Sequence, residues 1–173
     1  MQRTLIFSFI GIDKVGIIEQ LAHTVVTHGG NWLQSRMTHL SGKFAGIVQV
    51  SVAEAQSSTL QTALLAMASD TLAILVEPAA DGLAPALGNT VHFDIIGLDR
   101  VGIVKEITTA LAQQQLNVVD MQSYIEHAPM SAEHLFKADI RLQMPANTDY
   151  EALHDTLDTL CQRLDLDWNL SEV

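Results

Sequence analysis

The sequence predicts an α+β protein made of two copies of one unit, each ordered strand, helix, strand, strand, helix, strand. Three observations predict it. The stretch Gly11-Ile12-Asp13-Lys14-Val15-Gly16-Ile17 returns 86 positions later as Gly97-Leu98-Asp99-Arg100-Val101-Gly102-Ile103. The same offset matches Thr4 with Thr90, Phe7 with Phe93, Ile10 with Ile96 and Asn31 with Asn117. Within each copy, apolar residues alternate at period two, shift to helical spacing, and shift back.

A chain of 173 residues with 48% hydrophobic residues suits two small domains with modest cores. The expected division is a first domain at 1–78, a linker at 79–89 and a second domain at 90–173. Pro78 to Asn89 holds two of the four prolines and two glycines among small residues.

In the first copy, Thr4 to Ile10 alternates so that Leu5, Phe7 and Phe9 share one face of a strand. Gly11 is expected to take a backbone angle that most residues avoid, and Asp13 to cap the helix that follows. That helix is expected from about Val15 to His28, with Ile17, Ile18, Leu21, Ala22, Val25 and Val26 as its apolar stripe. Gly16 falls in its first turn, where alanine holds a helix better by ~1 kcal/mol. A glycine at that position in both copies suggests a close approach to the backbone. Gly29-Gly30 ends the helix.

A second strand is expected over Asn31–Leu40, a short turn at Ser41-Gly42-Lys43, and a third strand from Phe44 to Val52 in which Ile47 departs from the alternation. Ser57 or Ser58 is expected to cap a second helix carrying Leu60, Leu64 and Met67. A fourth strand, Leu72 to Val76, is expected to stop before Pro78. The order is that of a ferredoxin-like unit, an antiparallel sheet with helices on one face.

The second copy repeats the order. Its first helix carries Ile103, Val104, Ile107, Leu111 and Ala112, and Asn117 opens its second strand. A six-residue insertion separates its second and third strands, around Ala128 to Glu133. Thr148-Asp149-Tyr150-Glu151 has the pattern of a capping box. Tyr150, Leu153, Leu157, Leu160 and Leu164 line the last helix, and Leu166 to Leu170 forms the closing strand.

The net charge is −11, unevenly spread. Residues 1–86 hold four cations against six carboxylates, a net −2, and the remainder five against fourteen, a net −9. Neither half offers the basic surface that neutralises phosphates, so no direct nucleic-acid contact is expected. The N-terminus enters a strand with no signal-peptide pattern. No apolar run nears the ~20 residues of a membrane helix, and the single cysteine excludes an internal disulfide. A cytoplasmic protein without membrane contact is the expectation.

The repeated Gly-x-Asp-x-x-Gly-Ile turn, the asparagine opening strand two and the two ferredoxin-like units resemble tandem ACT domains. Among tandem forms the chain most resembles the glycine cleavage system transcriptional repressor group, in its length, its two units with little else, and a strand-three phenylalanine at Phe44 and Phe136. ACT domains are regulatory modules, many of which bind amino acids between two units, against the first turn of one and strand two of its neighbour. The resemblance implies a site at Asp13, Val15, Gly16 and Ile17 in the first unit and at Asp99, Val101, Gly102 and Ile103 in the second. Asn31 and Asn117 open the strands that face across. The chemistry agrees, since free amides at a helix start, backed by the helix dipole, attract a carboxylate. Asp13 and Asp99 are also good caps, and Trp32 stands where the second unit has Val118.

Other candidates point away from catalysis. Cys161 lies on or beside the stripe of the last helix, where a buried thiol acts as a small hydrophobe. His23 and His28 are five apart, outside the three-or-four spacing of a helical metal pair. His127 and His134 flank the inserted loop and are only a pair. Asp149, Glu151, Asp155, Asp158, Asp165 and Asp167 mark a solvated face or a docking face for a basic partner. No nucleotide fingerprint, phosphate-loop lysine or nucleophile–base set is present. The resemblance therefore implies a non-catalytic, cofactor-free regulator that responds to a small amino acid, glycine being the effector implied. It is expected to repress a gene through a protein partner such as a transcriptional activator. A free-standing regulatory subunit that controls a metabolic enzyme is the alternative, and a homodimer is compatible with both.

Overall fold

The computed structural model describes residues 1–79, 89–128, 133–145 and 148–172. The chain divides into two units, Met1–Leu83 and Ala84–Val173. In the first unit the elements are β1 (Gln2–Ile12), α1 (Ile17–Thr27), β2 (Asn31–Leu40), β3 (Lys43–Ala53), α2 (Glu54–Ala66) and β4 (Leu72–Pro78). In the second they are β5 (Thr90–Leu98), α3 (Ile103–Gln113), β6 (Asn117–His127), β7 (His134–Gln143), α4 (Tyr150–Leu164) and β8 (Leu166–Glu172). The sheets run β2-β3-β1-β4 and β6-β7-β5-β8, antiparallel throughout.

Each unit buries one sheet face. In the first, Leu5, Phe7 and Phe9 of β1 and Val48, Val50 and Val52 of β3 form one cluster with Leu21 and Val25 of α1 and Leu60 and Leu64 of α2. Strand alternation sends these side chains to a single side, so both helices cover that side. The second unit repeats the arrangement with Val91, Phe93 and Ile95 under Ile107, Leu111, Leu153 and Leu157. Most of the linker expected at 79–89 and the tip of the inserted loop lie outside the described residues.

The two cores exchange one large residue. Trp32 of β2 meets Phe7 edge-on, with ring centroids 5.8 Å apart. In the second unit Val118 occupies that place, and Trp168 of β8 packs on Phe93 from the other flank at 5.9 Å. The indole N–H of Trp168 donates to Asp158 Oδ1 (3.2 Å), which satisfies its polar atom. Position 74 of β4, the counterpart of Trp168, is Ile. Bulk is thus redistributed around the same phenylalanine.

Several sequence expectations are corrected. Gly11 and Gly97 do not take positive φ. They are small because β4 and β8 crowd them: a Cβ at Gly11 lies 2.9 Å from Thr71 O, and one at Gly97 lies 2.9 Å from Asp165 O and against Leu166. Helix α1 starts at Ile17 rather than near Val15, with Gly16 as its N-cap, so Asp13 is not the cap. Val26 and Val104 point to solvent, because only two or three positions per helix reach the sheet. Helix α2 follows β3 directly after the extended Ala53, without a side-chain cap, and Ser57 is buried in it. In α4 the cap is Asp149, whose carboxylate accepts from the amides of Glu151 (3.0 Å) and Ala152 (3.4 Å), while Thr148 donates to Pro145 O. The cap is therefore one residue later than expected, and with Ala152 at the third helical position there is no reciprocal capping box. Strand β4 extends to Pro78, tolerated because the strand is at the sheet edge, and β8 extends to Glu172.

Candidate functional site

The repeated turns have the same geometry. Gly16 (φ 98°) and Gly102 (φ 91°) are left-handed N-caps of α1 and α3. No side chain of the described residues caps either helix. The Ile17 and Ile103 amides reach back to Lys14 O and Arg100 O at 3.5 and 3.3 Å. The next amides have no intrahelical acceptor, as at any helix start. Backbone bonds fix the approach: Asp13 N–H donates to Gly42 O (3.1 Å) and Asp99 N–H to His134 O (2.8 Å).

Space lies open above both glycines. Beyond the turn itself, a Cβ at Gly16 meets nothing closer than Gln20 Nε2, and one at Gly102 nothing closer than Glu106 Oε1, both at 3.9 Å. Positive φ, not crowding, explains why both positions are glycine. Val15 and Val101 are fully exposed at the turn tips. Each turn thus offers bare amides, the positive end of a dipole and an exposed apolar side chain. That set suits a small zwitterion or carboxylate.

Asn31 and Asn117 are exposed at the starts of β2 and β6. Asn31 pairs with Ser51, which pairs with Thr4, so within its own unit it lies eight β1 residues from Ile12, roughly 27 Å away at strand rise. The turn and its own unit's asparagine are therefore not brought together. The register brings His39, from the far end of β2, to the first turn instead, where Nε2 lies 3.6 Å from Asp13 Oδ2. Sequence spacing does not reveal that contact.

The turns differ at one position that spacing does reveal, the residue four beyond the glycine. In the first unit it is Gln20, a neutral amide. In the second it is Glu106, whose carboxylate takes two bonds from Arg100 at 2.9 and 2.8 Å. Those bonds hold the Glu106 carboxyl below the usual range, assisted by the charges of Arg100, Arg163 and Lys105, and they raise Arg100. A depression of about 470 Å³, lined in part by Gly102, Lys105, Glu106 and Arg163, opens beside this turn.

Burial, then the charge of Asp158, pushes the Cys161 thiol up to about 12, so it is not a thiolate at neutral pH. His127 and His134 pair across β6 and β7 with ring centroids 4.5 Å apart. No group of three metal-ligating side chains occurs among the described residues. Among them, no helix is long and apolar enough to cross a membrane.

Two small α+β units in one chain each open their first helix uncapped on a left-handed glycine. The ACT domain family matches residues 3–80 and again 90–171, and the chain belongs to that family as a tandem pair. It is similar over its full length to a crystal structure of an unknown protein from Galdieria sulphuraria, with 26% identity, TM-score 0.81 and 99% of that chain covered. It also shares its fold with a candidate glycine cleavage system transcriptional repressor, with 18% identity, TM-score 0.76, and 100% and 98% of the two chains covered. No curated protein matches the sequence.

The glycine conformation yields a stability prediction. Gly16→Leu forces a side chain into positive φ at a cost of about 1–2 kcal/mol, which lowers the melting temperature by several degrees. Gly16→Asn places a residue that reaches positive φ more readily and lowers the melting temperature by less than Gly16→Leu. Equal losses from the two variants, measured by thermal melts, would show that crowding rather than backbone angle selects glycine.

Proposed function

We propose that this chain is a non-catalytic, amino-acid-responsive regulator that represses glycine cleavage through a protein partner such as a transcriptional activator. The effector is a small amino acid, glycine being the first to test. Its carboxylate lies on the first-turn amides beside Gly16 and Gly102, with Val15, Ile17, Val101 and Ile103 around it. Its ammonium is assigned to Asp13 or Asp99 and to Asn31 or Asn117. The observation that carries the proposal is the uncapped helix start, present twice with open space over the glycine. Membership of the ACT family supports an amino-acid ligand.

Action through a partner, rather than by direct DNA contact, follows from charge. A chain of net −11, with −9 in residues 87–173, repels a phosphate backbone. No retardation of promoter DNA is expected from the purified protein alone in a gel shift. Retardation without a partner would contradict the mechanism.

Calorimetric titration with glycine and other small amino acids tests the site. Binding by the parent chain is the expected result, with the first unit's site lost in Gly16→Asn, the second unit's in Gly102→Asn, and each variant still folded in a thermal melt. The asparagine side chain occupies the space above the amides at less backbone cost than leucine. Absence of binding in the parent would leave the turns as architecture alone.

A further inference from the structure

The inserted stretch between β6 and β7 lengthens a hairpin. The first unit's β2–β3 ladder ends at the pair Leu40 and Lys43. The matching pair in the second unit is Glu126 and Leu135, and the ladder there continues by one more pair, His127 and His134. Both added positions are histidine.

Directly paired residues share one face of a sheet. The two imidazoles accordingly meet, with ring centroids 4.5 Å apart and planes at 48°, and both residues are exposed. Backbone bonds hold the strands on either side of the pair. Ala128 N–H donates to Glu133 O (3.0 Å) beyond it, and Asp99 N–H donates to His134 O (2.8 Å) from the end of β5. The other histidines have partners of other kinds. His23 and His28 bond to threonines of α1, His39 and His92 face carboxylates, and His154 packs on Trp168. Among the described residues, the rings of His127 and His134 have only each other.

Two imidazoles so placed can chelate. The neutral ring is the commonest protein ligand for a metal ion. Two rings on one ion, with bonds of ~2.0–2.1 Å and the nitrogens at right-angle to tetrahedral positions, have centroids roughly 4–5 Å apart. The observed 4.5 Å already meets this, so turning the rings, rather than moving the strands, completes the geometry. The net −9 of residues 87–173 draws cations to this half of the chain.

We propose that His127 and His134 form a two-histidine site for a divalent transition-metal ion, with water in the remaining positions. An all-imidazole donor pair selects copper(II), then nickel(II) and zinc(II), over magnesium or calcium, whose preferred ligands are oxygens. No third side chain joins the pair among the described residues, so the ion exchanges rather than serving as a permanent part of the fold. The site does not rest on the amino-acid reading of the turns.

Calorimetric titration of the full, tag-free chain with copper(II), nickel(II) and zinc(II) chlorides, in buffer free of amino acids, tests it. One equivalent of copper(II) should bind, and more tightly than the other two ions. His127→Gln and His134→Gln should each weaken copper binding by roughly tenfold or more, whereas His23→Gln, in the first unit, should leave it unchanged. Copper(II) added below one equivalent should also broaden the imidazole NMR signals of His127 and His134 before those of the other histidines. That measurement needs no variant and serves if either substitution prevents folding. A parent that binds copper(II) no better than the double variant, or broadening that begins at other histidines, would overturn the proposal.

Discussion

At Gly16 and Gly102 the backbone passes from strand to helix through a positive φ, and each unit depends on that reversal. It sets α1 at the angle that delivers Leu21 and Val25 to the sheet, and α3 at the angle that delivers Ile107 and Leu111. Since only glycine takes the conformation at no cost, the cap carries no side chain. The second and third amides of each helix are left without an intrahelical acceptor. A requirement of folding thus leaves amide donors free at the helix start. Repetition of the glycine alone is explained by φ. The open space above it is the separate observation that points to a ligand.

The units have diverged where the fold tolerates change. Trp32 and Trp168 cover equivalent phenylalanines from opposite flanks, so the core volume is kept while its source moves. At the turns, Gln20 leaves the first site neutral, whereas Glu106 and Arg100 close an ion pair beside the second. Because Glu106 is held below the ordinary glutamate range, the pair persists at neutral pH. What it contributes is present above the unfolded value and is lost as pH falls through the depressed one. The local charge beside the turn thus differs between the units. The outer sheet faces differ as well, since Ile47 and Leu75 of the first unit stand at the register positions of Asp139 and Asn169 in the second.

Most of the fold was legible because strand and helix periods are strong signals on short elements with one buried face. The start of β2 at Asn31, the start of β6 at Asn117 and the stripe of α4 follow from them. Caps were not legible, since residue type indicates preference and not backbone geometry. Asp13 has the chemistry of a cap, yet its amide is committed to Gly42 and its carboxylate faces His39. Ser57 has it too, and is buried inside a helix that begins three residues earlier. The approach of His39 to the turn depends on the β2–β3 register, which no local spacing shows. Gln20 and Glu106 were within reach, one helical turn from a glycine already singled out. Likewise the irregular Ile47 was visible as a break in alternation, though its neighbours Ser8, Ile10 and Leu75 emerge only from strand pairing.

Backbone amide NMR during titration with glycine tests most directly whether the uncapped turns bind a carboxylate. The expected result is a saturable set of shifts centred on the amides of Gly16 to Glu19 and Gly102 to Lys105, with smaller changes at Asn31 and Asn117. Shifts confined to other surfaces, or none at saturating glycine and other small amino acids, would contradict binding at the turns.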